Sequence, residues 1–231
     1  MAAFRRILFA AALAGLLTGV ALTAAQSLRV IPLILQAETY EGTPSGRPLG
    51  DPARAATHRG QQPPAATPWS EPGRVGLTAA ANSLTAIGFG LLLAAGFSLR
   101  GRSGWKEGLL WGLAGFATFN LAPSLGLPPE LPGALAAPLG HRQAWWILTA
   151  ASTAGGLALI AFARGAAWKL LGAALIALPH LLGAPHPPRT GGSVPESLQR
   201  AFVAASLTAS ALFWLLLGGL SGFLYERLER S

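Results

Sequence analysis

Imidazole and carboxylate groups are the side chains of this sequence best suited to chemistry, and they concentrate in the connections between apolar stretches. The histidines are His58, His141, His180 and His186. The carboxylates in the same set of connections are Glu38, Glu41, Asp51, Glu71, Glu130 and Glu196. Nitrogen and oxygen ligands of this kind suit divalent cobalt, nickel or zinc. The sequence contains no cysteine, which excludes thiolate metal sites and disulfides.

No tight ligand spacing such as His-x-x-x-His occurs, so a metal site would have to be assembled from separate connections. The candidate ligands are His180, His186, His141, Glu130, Glu38 and Glu41. We place the first binding site at His180, because Pro179 before it frees a carbonyl oxygen that can share the ion. Its helpers in this hypothesis are Glu130 and either Glu38 or Glu41. A single histidine at a helix end is also explained as an interfacial side chain bonded to backbone, so the hypothesis rests on the shared location of all four.

Six apolar stretches must position these groups, at residues 7–28, 77–99, 108–125, 144–163, 168–182 and 202–224. A helix rises about 1.5 Å per residue, so roughly 20 residues cross a hydrocarbon core of roughly 30 Å. The composition agrees, with 52% of residues hydrophobic and 11% charged. The predicted fold class is all-α: a polytopic integral membrane protein, one membrane domain over residues 1–231, with about six transmembrane helices arranged as three hairpins.

Basic residues predict the orientation of these helices. One side of the predicted bundle carries Arg5, Arg6, Arg100, Arg102, Lys106, Arg164, Lys169, Arg227 and Arg230, close to the termini and the short connections. The positive-inside rule makes that side cytoplasmic and the histidine side external. Both termini are therefore predicted to be cytoplasmic.

The first stretch has two interpretations. Arg5 and Arg6, the apolar run and the small residues up to Ala25 also resemble a cleaved secretory signal, which would leave five spans. The run exceeds the usual signal core of roughly 7 to 15 residues, and this favours a retained helix. Beyond it, Arg29 and Pro32 predict that the chain leaves the helix as an amphipathic tail along the external interface.

Residues 42–73 are rich in Pro, Gly, Ala, Thr and Arg and show no helical or strand period. This composition is typical of a flexible loop, here an external one.

Several mechanisms are disfavoured by what the stretches lack. They carry no mid-membrane ionisable residue of the kind that marks proton relays, and the chain has no P-loop for ATP. Neutral groups remain, and Asn120 and Asn82 are the candidate polar residues of an ion pathway. The formal charge of +8 forms no long basic run, so no nucleic-acid partner is predicted.

Three small-residue motifs allow close helix packing: Gly15-x-x-x-Gly19, Gly108-x-x-x-Gly112 and Gly218-x-x-x-Gly222. Packing within the chain and dimerisation explain them equally well.

Five short segments in the right order carry a family resemblance. They are VIPLILQAETYE (30–41), GLLWGLAGF running into NLAP (108–123), LPPELPG (127–133), RQAWW (142–146) and ALPH (177–180). Together they resemble the CbtA family of probable cobalt transporter subunits over nearly the whole chain. The resemblance implies a multi-pass protein of the bacterial inner membrane, often described with five spans. It further implies cobalt as the substrate ion of uptake for cobalamin synthesis, no cofactor, and a small single-span partner protein, CbtB.

Two other function classes stay open. A non-transporting metal-receptor or assembly subunit would use the same external ligands to deliver metal to a partner. An integral-membrane enzyme acting on envelope substrates would need a base beside a carboxylate, and His141 or His180 beside Glu130 is the arrangement that offers one.

Overall fold

The computed structural model of the protein describes residues 2–41, 72–101, 104–187 and 194–230. All regular elements in these ranges are helical, which confirms the all-α prediction. The helices are α1 (Ala2–Ala25), α2 (Ile31–Glu41), α3 (Pro72–Arg100), α4 (Trp105–Phe116), α5 (Ala122–Ser124), α6 (Leu139–Phe162), α7 (Ala166–Leu182) and α8 (Glu196–Arg230). Two π-helical segments, π1 (Gln26–Val30) and π2 (Ala117–Leu121), join α1 to α2 and α4 to α5. The predicted loop 42–73 lies, up to residue 71, outside the described residues.

Four helical runs in the described part are long and apolar enough to cross a membrane. They are Phe4–Tyr40, Val75–Arg100, Leu139–Phe162 and Glu196–Arg230. Ala166–Leu182 is a shorter apolar helix. The third predicted stretch, 108–125, falls on the run formed by α4, π2 and α5. Each predicted stretch therefore coincides with a helical run, and the fold is that of a polytopic membrane protein.

The first helical run continues through Pro32, so the predicted interfacial tail after Arg29 is wrong. Proline lacks an N–H, and in an α-helix its ring clashes with the carbonyl four residues earlier, here that of Leu28. Segment π1 widens the helix just before this point, where the N–H of Ile31 bonds the carbonyl of Gln26, five residues back. The wider turn accommodates the ring, and the helix goes on.

Segment π2 has the same relation to Pro123, since the N–H of Ala122 bonds the carbonyl of Ala117. Continuation has a consequence for the first run, whose 37 residues measure about 55 Å against about 30 Å for a hydrocarbon core. The run is therefore long enough for α2 to extend beyond a hydrocarbon core, and Ala37 of α2 shares a buried cluster with Leu198 at the start of α8.

Helix α8 is the centre of the bundle and packs against α1, α3 and α4. Phe97 and Leu217 are fully buried there. The other packed pairs are α1 with α3 and α6 with α7. Helix α4 follows α3 after a short connection but packs far more extensively against α8. This pairing differs from the hairpin of consecutive stretches that the sequence predicts.

The small-residue motifs explain this pairing, because they pack within the chain. A Cβ on Gly108 would collide with the carbonyl oxygen of Gly218, and one on Gly112 with that of Trp214. On α1, Gly19 lies against the backbone of Ser83 in α3. Such close backbone approach requires glycine. Of the two interpretations of these motifs, the structure shows the intramolecular one.

The two termini lie at the same end of the bundle. Arg6 forms a salt bridge of 3.2 Å with Glu229, and its guanidinium lies over the ring of Tyr225. The prediction that both termini are cytoplasmic requires them to lie at the same end of the bundle, as they do. We call this the terminal end and the opposite one, which contains His180, the outer end.

Candidate functional site at the outer end

The outer end is organised by a connection, residues 125–138, that joins α5 to α6 and is tied to α8. The side-chain amide of Gln199 donates to the carbonyl of Pro129 at 2.7 Å, and its oxygen accepts from the N–H of Leu131 at 3.2 Å. Leu131 is 3% exposed. A single side chain thus satisfies two backbone groups of a non-helical segment, which fixes the connection over the bundle.

Glu130 lies in this connection and is already paired. Its carboxylate is 2.9 Å from the guanidinium of Arg142, in the first turns of α6. Both side chains are partly buried, which strengthens such a pair relative to one in open water. A metal ion could use Glu130 only in competition with Arg142.

His180 lies near the end of α7, with its ring against the indole of Trp145 on α6. The ring centroids are 5.9 Å apart and the planes are inclined by 73°. The Nε2 of His180 and the Nε1 of Trp145 are both enclosed, and neither has a hydrogen-bond partner in the described part of the chain. An unpaired buried polar group costs about 1–3 kcal/mol, so two on adjoining rings indicate a site for a further polar group or ion.

Trp145 is held in place from several sides. A Cβ on Gly126 would collide with its ring, so this glycine leaves room for the indole beneath the connection. Ala184, just beyond α7, approaches the same position. Pro179 next to His180 is fully buried. Trp145 is 7% exposed, so it belongs to the enclosed part of the outer end.

A row of polar groups follows Trp145 along α6. Thr149 is 0% and Thr153 is 2% exposed. Their hydroxyl oxygens have no hydrogen-bond partner among the described residues. Residues four apart lie on one helix face, so the row leads from the two rings into the bundle. The sequence analysis did not identify Thr149 as a candidate. The spacing of four between positions 145, 149 and 153, which places them on one helix face, could have indicated it.

The other candidate ligands are dispersed. Glu38 is exposed on α2, His141 is exposed in the first turn of α6, and His186 is exposed beyond α7. Glu41 ends α2, and its side chain lies outside the described part, as does His58. In the described ranges no three histidine or acidic side chains come close enough to hold a metal. The structure therefore does not bring His180, Glu130 and Glu38 together.

Asn82 and Asn120 bind helices to one another. The amide of Asn82 on α3 donates to Thr23 Oγ1 at 2.9 Å and to Gln26 Oε1 at 2.8 Å. Gln26 is the first residue of π1. Ordinary interhelical hydrogen bonding, the alternative to a pathway role, accounts for this contact.

Asn120 in π2 makes the equivalent ties to α8. Its amide donates to Ser210 Oγ at 3.2 Å, and its oxygen accepts from Trp214 Nε1 at 2.7 Å. Both π segments are thus anchored through amide side chains.

Comparison with known proteins adds one match. The model of the CbtA family, described as probable cobalt transporter subunit, matches residues 4–226 of the chain. No curated protein and no solved structure matches it.

Proposed function

Because this chain belongs to the CbtA family of probable cobalt transporter subunits, we propose that it takes divalent metal, cobalt first, from the external face and passes it through the helical bundle. Its place in this proposal is the bacterial inner membrane. Its partner is a small single-span protein, CbtB, since a transporter subunit implies others. The protein binds substrate metal and performs no catalysis.

The enclosed nitrogen of His180 is the observation that supports the proposal most. A neutral imidazole nitrogen is a common ligand of divalent transition metals. This one lies at the outer end with no protein hydrogen bond to break among the described residues, so an arriving ion would meet a preformed ligand. The indole N–H of Trp145 can only donate, and it suits a water molecule or anion carried by the metal.

Thr149 and Thr153 supply the continuation of the proposed route. Their hydroxyl oxygens can replace part of the hydration of an ion that leaves His180. Proline at position 179 frees the carbonyl of Leu175, four residues earlier, as a further oxygen. The membrane potential would drive a divalent cation inward with about 4.6 kcal/mol per 100 mV.

The remaining candidate ligands have an outer role in this scheme. His141, His186 and Glu38 are exposed and can bind metal only weakly and transiently. Glu130 can help His180 after it leaves Arg142, which makes the ion pair a competitor of the metal.

Uptake into vesicles containing the chain alone tests the proposal, with cobalt, nickel and zinc compared. We expect cobalt uptake driven by an inside-negative potential, reduced at least about tenfold by His180→Ala. His58→Ala serves as the control and should have no effect.

The outcomes separate the alternatives. Cobalt binding without flux would replace transport by the receptor function, in which the chain hands metal to a partner. Equal effects of His180→Ala and His58→Ala would remove the site assignment.

A further inference from the structure

A cleft opens between α6 and the rest of the bundle at the terminal end. Helix α6 packs on α7, π2 and α5. It makes no comparable backbone packing with α3 or α4. The space between them is a cavity of about 490 Å³. It extends from Arg100 and Phe162 at the terminal end to Phe119 and Trp214 beside π2.

The walls of this cleft are almost entirely apolar. They include Leu93, Leu110, Trp111, Ala154 and Ala158. Among the described residues that line it, the polar side chains are Arg100 and Glu107 at the mouth and Thr118 deeper in. An apolar cleft between transmembrane helices offers space to the chain of a lipid.

An acyl chain suits this cleft, because nearly all of the described side chains that line it are apolar. A transmembrane helix is about 10 Å across, whereas an acyl chain is far thinner and needs no backbone hydrogen bonds. The positive charge at the mouth is what favours a lipid over a partner helix.

Arg100 supplies the positive charge at the mouth, where Glu107 contributes a negative one. Its guanidinium lies over the ring of Phe162, 4.6 Å from the centroid, so a ring of α6 and the end of α3 meet there. Arginine presents several donors in a planar fork that matches phosphate oxygens. Basic pockets between transmembrane helices on the cytoplasmic side bind lipid head groups in this way.

We propose that this cleft is a phospholipid site, with one acyl chain between α3, α4 and α6 and the head-group phosphate on Arg100. The lipid comes from the leaflet at the terminal end, which the basic residues predict to be cytoplasmic. It fills the space that helix packing leaves and links the α6–α7 hairpin to the core. This site is independent of the proposed metal route, which lies at the outer end.

Lipid titration of the purified full chain tests the site. The delipidated protein in detergent is titrated with phosphatidylglycerol or with a diacylglycerol of the same acyl chains, and bound lipid is counted by native mass spectrometry. We expect one tightly held phosphatidylglycerol, with diacylglycerol about tenfold weaker because it lacks the phosphate.

Two variants with matched controls separate the head group from the tail. Arg100→Gln should weaken phosphatidylglycerol binding about tenfold and leave diacylglycerol unchanged, whereas Lys169→Gln, at the same end but outside the cleft, should change neither. Ala158→Leu fills the cleft and should weaken both lipids; Ala173→Leu, exposed on α7, should not.

Four results would overturn the proposal. Three of them are equal binding of the two lipids, equal effects of Arg100→Gln and Lys169→Gln, and undiminished binding by the Ala158→Leu variant. The proposal would also be refuted if the wild-type protein co-purified with a polypeptide, and not with lipid, and the Ala158→Leu variant lost that polypeptide. Cobalt flux plays no part in these measurements, so they stand apart from the test of transport.

Discussion

The imidazole of His180 and the indole of Trp145 adjoin across the α6–α7 hairpin, with ring centroids 5.9 Å apart. Each ring has a buried nitrogen, Nε2 of His180 and Nε1 of Trp145, without a hydrogen-bond partner in the described structure. The indole nitrogen can only donate, whereas an imidazole nitrogen without a proton can accept or bind a metal. The two groups are therefore complementary toward a hydrated cation, which has both a metal centre and acceptor oxygens.

Replacing Trp145 with Phe separates stability from ligand binding. The change removes a buried N–H without a partner among the described residues but leaves part of the packed indole space empty, so the free energy of unfolding should fall by no more than about 1–2 kcal/mol. Cobalt affinity, measured by calorimetry, should fall severalfold. Trp146→Phe, at the exposed neighbouring indole, is the control. Unchanged affinity in the Trp145→Phe protein would show that the N–H takes no part in binding.

Replacing Thr149 and Thr153 together with Val tests the proposed route. Valine keeps the shape and removes hydroxyls that lack partners in the described part of the chain, so the protein should remain as stable as the wild type. Cobalt flux into vesicles should fall at least about tenfold, while cobalt binding at His180 persists. Thr208→Val on the exposed face of α8 is the control, since Thr208 bonds its own helix. Normal flux through the double variant would place the route elsewhere.

The glycine contact between α4 and α8 should be essential to the fold. In Gly218→Ala the new methyl group would meet the carbonyl of Gly108, a backbone atom that cannot rotate away. We expect a loss of about 1–3 kcal/mol in the free energy of unfolding, followed by thermal or denaturant unfolding in detergent. Gly88→Ala is the matched control, because a Cβ there has no neighbour within 4 Å. Its effect should be neutral or stabilising by up to about 1 kcal/mol. Similar losses in both variants would argue against the close α4–α8 packing.

Topology can be checked with accessible tags. The contact between Arg6 and Glu229 places the two termini together, and the basic residues predict that they are cytoplasmic. A tag after Ser231 should be protected in intact cells, and one near Pro63 should be accessible. Opposite signals at Ser231 would support five retained spans and cleavage of the first.

The sequence alone was sufficient for the helices and their membrane setting. Hydrophobic runs of the right length are a local property, and each of the six stretches coincides with a helical run. The spacing of Gly108, Gly112, Gly218 and Gly222 also indicated close helix packing. It could not say which faces meet, because a small-residue face is compatible with any partner that brings a complementary surface.

Tertiary structure decided the rest through contacts between residues far apart in the chain. Pro32 suggested a helix end, but a π turn and anchoring of Gln26 by Asn82 let the helix continue. Glu130 was grouped with His180 from their positions after apolar stretches, whereas the structure pairs it with Arg142. A ligand set or ion pair depends on distances of a few ångströms, and these are fixed by how whole helices pack. Hydrophobic pattern specifies where helices form, while the packing determines which polar atoms are left without partners.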